Sequence, residues 1–109
     1  MPGMGEVADR PEKIFHPAAS SLDLATIMRT LGDPVRLELL RLLADGRPRL
    51  CGEISKALTL PTSTSSYHLR LMREAGLTRS RAEGTQRYVT LRRDDLEARF
   101  PGLLEVLTR

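Results

Sequence analysis

After Pro61, five side chains recur on one face at helical spacing: Thr62, Ser63, Ser66, Tyr67 and Arg70. Three carry short hydroxyls, which donate and accept hydrogen bonds and let a second surface approach closely. Tyr67 adds a ring and a phenolic hydroxyl, and Arg70 adds a planar fork of donors that matches a phosphate or a nucleobase edge. Further along, Arg79, Arg81, Gln86 and Arg87 stand on two segments of alternating pattern. This is the chemistry of hydrogen bonding and charge pairing rather than of bond making. The chain shows no nucleophile elbow, no glycine-rich phosphate loop, no His–carboxylate pair at helical spacing and no paired cysteines, so no enzyme is expected.

The charge is segregated. Net charge is +3 over 109 residues, yet residues 61–93 hold seven arginines against Glu74 and Glu83 alone. Residues 1–60 are balanced, and residues 94–109 are mildly acidic. A cationic block beside a neutral front favours a polyanion, because clustered cations release its counterions. The opposing reading is a solvated face whose arginines pair with the C-terminal acids. The apolar fraction of 40% suits one ordinary globular domain with an aliphatic core, since aromatics are few. No run approaches a membrane span and no apolar leader follows Met1, so a cytoplasmic address is expected.

The elements that must carry these side chains can be read from periodicity. Residues 1–19, with Pro2, Pro11 and Pro17, read as a flexible tail that packing on the body or on a partner would order near Ile14 and Phe15, and the domain proper as 20–109. Leu24, Ile27, Met28 and Leu31 make one apolar stripe on a helix that ends near Gly32. Asp33-Pro34 opens a second helix as N-cap and first residue, and its many leucines mark it as the buried centre. A short extended link, Arg47 to Leu50, leads to a short helix around Gly52–Leu58 with Ile54, Ala57 and Leu58 inward; a turn then leads to a helix over about 62–75, with Ser65, Leu69 and Met72 inward and Gly76 as a left-handed stop. Beyond Gly76 the period becomes 2, which predicts a β-hairpin over about 77–91 turning at Ala82–Thr85. Asp94-Asp95 starts a last helix, interrupted by Pro101-Gly102.

Short helix, turn, second helix and arginine-rich hairpin make a winged helix-turn-helix: mainly α (α+β), with one hairpin as the wing. The helix at about 62–75 is then the element for the major groove of double-stranded DNA, and the hairpin arginines flank it. Three blocks in order, Leu31–Leu40, Ser66–Leu77 and Arg79–Gly84, resemble the ArsR/SmtB family of bacterial winged-helix transcriptional regulators. The resemblance spans about residues 22–100. It implies a homodimer paired through the first and last helices (here about 20–32 and 94–109), usually a repressor, released from a palindromic operator by an inducer that is often a metal ion. The DNA-binding positions, read from the outward face of that helix and from the hairpin, are Thr62, Ser63, Ser66, Tyr67, Arg70, Arg79, Arg81, Gln86 and Arg87. Where metal-responsive members carry a Cys-x-Cys pair this chain has Leu50-Cys51-Gly52, and residues 94–109 contain no His, so no metal or cofactor is expected. Ser65 stands where a larger apolar residue is usual, which predicts looser packing there.

Other readings of these residues differ in what they need. A winged-helix module docking its basic face on an acidic protein would bind DNA without sequence preference. A redox- or metal-switched repressor would use Cys51, otherwise a small buried side chain. His68 reads as a hydrogen-bonded structural residue or a phosphate contact, and His16 has no evident partner.

Overall fold

Two aspartates set the first two helices. A computed structural model describes residues 14–109. Asp23 caps α1 (Leu24–Thr30) by accepting from the Thr26 N–H at 2.9 Å. Asp33 caps α2 (Pro34–Leu42) by accepting from the Val35 N–H at 2.8 Å, with Pro34 in the first turn where a missing N–H costs nothing. The α1 stripe is split: Ile27 and Leu31 are buried, while Leu24 and Met28 stay largely exposed. From α2, Leu39, Leu40 and Leu43 enter the core together with Ile54, Met72, Leu77 and Leu96.

The link before the short helix is a strand, β1 (Arg49–Leu50), which pairs with the far arm of the hairpin. β2 (Thr78–Glu83) and β3 (Gln86–Leu91) complete an antiparallel sheet in the order β1-β3-β2. The hairpin closes at the Glu83–Gln86 pair around Gly84, whose φ of +61° suits the first position of a two-residue turn. Two residues give β1 no pattern of its own; pairing to β3 is what makes it a strand.

Between β1 and β2 lie α3 (Cys51–Ala57) and α4 (Thr62–Glu74). Ala57, expected inward, is exposed, because Ile54, Ser55 and Leu58 already fill the inward arc of α3. α4 ends in a Schellman motif: Leu77 N–H donates to Met72 C=O at 2.9 Å and Gly76 N–H to Arg73 C=O at 3.0 Å, with Gly76 at φ +85°. α5 (Arg93–Arg99) and α6 (Leu103–Leu107) close the chain, separated by Pro101 and Gly102 as the sequence suggests.

Of the expected tail, residues 1–13 lie outside the described residues. Residues 14–19 are packed on the body, and three successive residues are pinned to different elements. Phe15 C=O accepts from Arg73 of α4 at 2.6 Å, the His16 ring accepts from the Ser80 N–H of β2 at 2.9 Å, and Pro17 C=O accepts from Arg92 at 2.8 Å. This strap covers the outer edge of the sheet, where β2 would otherwise leave that N–H unpaired.

Candidate nucleic-acid interface

α4 follows a tight turn in which Thr59 takes a left-handed φ of +54° and Leu60 N–H reaches back to Ser55 C=O at 2.9 Å. Its inward face is fixed by Ser65, His68, Leu69 and Met72, all buried. Ser65 is buried and hydrogen-bonded. Its hydroxyl is hydrogen-bonded to that of Ser55 on α3; one hydroxyl donates across the pair and the one that accepts donates onward to a backbone carbonyl of its own helix, Cys51 for Ser55 or Thr62 for Ser65. A buried hydroxyl pair therefore joins the two helices where a larger apolar residue was expected.

With that face anchored, Thr62, Ser63, Ser66, Tyr67 and Arg70 are all exposed, the five positions assigned to the outer face. Arg70 lies along this surface: its guanidinium is 5.5 Å from the Tyr67 ring centroid and 3.5 Å from the Glu74 carboxylate one turn on. A cleft of about 340 Å³ separates α4 from the hairpin, and Ser63, Ser66, Tyr67 and Arg70 face Arg87 across it. Thr62 stands at the start of α4, outside that cleft.

The hairpin residues divide by register. Arg87 pairs across from Ala82 and shares the face of Ser80 and Val89, which is the α4 side. Among the described residues its side chain has no ion pair or hydrogen bond. Arg79, Arg81 and Gln86 alternate onto the opposite face, opposite Thr90, Tyr88 and Glu83. Arg81 stacks 4.9 Å from the Tyr88 ring centroid and pairs with Glu83. Arg79 pairs at 3.2 Å with Asp95 of α5, so for this arginine the C-terminal acid is a partner, as the solvated-face reading has it. Arg92, counted in the cationic block, is buried and bridges Asp95 and Pro17. It is a structural cation, because three elements meet at its side chain.

Two residues of this region escaped the sequence reading. Arg73 lines the same cleft, and its place one and two turns beyond Arg70 and Ser66 could have disclosed it. Arg36 holds the buried His68 from behind, a contact between residues far apart in sequence that no local pattern announces. His68 is thus a hydrogen-bonded structural histidine. His16 has a partner after all, in the Ser80 N–H. Burial, then the charges of Arg73, Arg79 and Arg92, hold its pKa below 6.5, against a hydrogen bond to the Ile14 backbone. Burial pushes the Cys51 thiol up and Arg87 draws it partly back, which disfavours the reactive thiolate. Among the described residues no three His, Cys, Asp or Glu side chains gather as a metal site requires.

Comparison with known proteins bears on this geometry directly. The helix-turn-helix domain family matches residues 31–81, from the end of α1 into β2. The chain is 39% identical over 84 residues to the HTH-type transcriptional regulator YceK of Bacillus subtilis, which covers 76% of this chain and 84% of that one. The homodimeric winged helix-turn-helix DNA-binding domain of a possible ArsR-family regulator from Mycobacterium bovis superposes with a TM-score of 0.65 at 32% identity, over 77% of this chain and 76% of that one. The chain belongs to the ArsR family of winged helix-turn-helix transcriptional regulators. Its fold extends to the transcriptional repressor BigR of Xylella fastidiosa, with a TM-score of 0.64 at 25% identity over 97% of this chain and 90% of that one. In this fold α3 and α4 form the helix-turn-helix and the β2–β3 hairpin is the wing. This is a family of regulators, not a class of enzymes. Among the described residues no helix is long and apolar enough to cross a membrane.

Proposed function

We propose that this ArsR-family regulator is a cytoplasmic homodimeric repressor that reads a palindromic operator with α4 and grips the flanking backbone with its wing. One observation carries the reading: a hydroxyl-rich face of α4, with Tyr67 and Arg70, opens across a cleft from Arg87, whose side chain has no partner among the described residues. Thr62, Ser63, Ser66, Tyr67 and Arg70 are the groove-facing set, and short hydroxyls keep that helix narrow enough to enter. Arg81, Gln86 and Arg87 hold phosphates from the wing; Arg79 joins them only by leaving Asp95. Dimerisation through about 20–32 and 94–109 rests on Leu24, Met28 and Val106, large apolar side chains left exposed on α1 and α6. The homodimeric Mycobacterium bovis relative and the repressor BigR support the assembly and the sign of regulation.

Two recognition helices then enter successive major grooves about 34–36 Å apart. If the dimer neutralises about eight phosphates, log K falls against log salt with a slope near −7. The test is selection of bound sequences from random duplexes, followed by titration of the best. A palindrome is expected. Arg70→Ala should cost about 1–3 kcal/mol at one half-site position if it makes a bidentate base contact, and Arg81→Ala should weaken all sequences alike. Equal affinity for selected and random duplexes would overturn sequence-specific reading and favour docking on an acidic protein.

A further inference from the structure

The inward side of α4 is held by a contact that belongs to neither the core nor the groove face. Arg36, in the first turn of α2, is mostly buried, its side chain 15% exposed. Its Nε donates to Thr30 C=O at the end of α1 at 2.6 Å, and one terminal nitrogen lies 3.2 Å from His68 Nδ1, midway along α4. A guanidinium only donates, so His68 Nδ1 accepts and the ring proton sits on Nε2. Asp33 stands 3.9 Å from the same guanidinium while its other carboxylate oxygen caps α2, which fixes the base of the fork.

Thr30 C=O is one of the carbonyls that the end of a helix leaves without a partner in its own backbone. Arg36 supplies that partner and, with the same rigid plane, an anchor for the recognition helix. The contact therefore runs from α1, which carries the exposed Leu24 and Met28, to the helix that carries Ser66, Tyr67 and Arg70. Charge-assisted hydrogen bonds from a planar fork constrain direction as well as distance. A lysine ammonium could reach one of the two acceptors and would leave the angle between them free.

We propose that Arg36 is a positioning residue for operator recognition: by tying the end of α1 to the middle of α4 it sets the spacing and rotation of the two reading helices in the dimer. The inference rests on the dimeric DNA-reading function above. A merely structural Arg36 would alter stability and all DNA affinities together. A positioning Arg36 alters the tolerance for half-site spacing.

The experiment compares the selected palindrome with the same sequence carrying one extra base pair at its centre, a shift of about 3.4 Å and a tenth of a turn. The wild-type dimer is expected to lose about tenfold in affinity or more, the order of one mismatched pair. Arg36→Lys should keep the dimer mass, the melting temperature and the affinity for random duplex, yet discriminate the two spacings by less than about threefold. His68→Leu, which removes the acceptor, should lose the same spacing discrimination, with a lowered melting temperature because a mostly buried donor is left unpaired, whereas His68→Asn, which restores an acceptor near the Nδ1 position, should retain wild-type discrimination. Should Arg36→Lys fail to fold, the two His68 variants carry the same comparison. Unchanged discrimination in Arg36→Lys and His68→Leu overturns the proposal, as does a uniform loss on all duplexes in step with melting. A wild-type protein that selects no palindrome instead defeats the functional reading on which it rests.

Discussion

Gly76→Ala is the substitution whose cost follows most directly from geometry. Gly76 holds a φ of +85° at the junction between the recognition helix and the wing. A Cβ there would overlap Leu22 Cδ2 and stand 3.4 Å from Leu22 Cγ and 3.5 Å from Pro17 Cγ. Leu22 is 3% exposed, so its side chain cannot swing into solvent to clear the space. The left-handed backbone alone costs an alanine about 1–2 kcal/mol. Forcing a methyl into a packed site adds about 1–3 kcal/mol, which brings the total to about 2–5 kcal/mol. For a domain of this size that lowers the melting temperature by roughly 10 °C or more. Gly84→Ala supplies the control: its φ is +61°, but nothing lies within 4 Å of the added Cβ, so only the backbone contribution applies. Thermal melts followed by circular dichroism read both. Leu22→Ala should also cost less in the Gly76→Ala background than alone, because the smaller side chain relieves the clash. If Gly76→Ala melts together with Gly84→Ala, the contact with Leu22 carries no weight and the reasoning fails.

Two further outcomes are expected. His16 accepts from Ser80 N–H only while its Nε2 is unprotonated, and its pKa is held below the ordinary 6.5 first by burial and then by Arg73, Arg79 and Arg92. The unfolded chain therefore takes up this proton first as pH falls, so the contribution of His16 to stability is complete above pH 6.5 and declines as pH drops towards the depressed folded value. Melts at pH 7.5 and 5.5 should differ less for His16→Gln, which keeps an acceptor without titrating; an equal difference in both proteins argues against the strap contact. Ser65→Ala should destabilise by about 1 kcal/mol, because it removes one partner of a buried hydroxyl pair, and the Ser55→Ala/Ser65→Ala double variant should lie closer to wild type than the two single costs added. Strict additivity in urea titrations would show that the two hydroxyls do not interact.

The sequence by itself determined the elements and the outer face of α4. Asp33-Pro34, Gly76 and Pro101-Gly102 act within a few residues of themselves, through caps, positive φ and missing donors, so their effect is legible locally. The outward residues of α4 were legible for the same reason: once Leu69 and Met72 point inward, a 3.6-residue period leaves Ser66, Tyr67 and Arg70 outside. Tertiary structure decided everything that depends on contacts between residues distant in the chain. It made a strand of Arg49–Leu50, buried Arg92, gave Arg79 to Asp95 and, among the described residues, left the Arg87 side chain without a partner on the α4 side. It also brought residues 14–19 onto the sheet edge and set Arg36 against His68. Those arginines are chemically identical in sequence. Whether a guanidinium is a latch or a free cation depends on which carboxylates and carbonyls the fold brings within about 3 Å of it, and no local pattern encodes that.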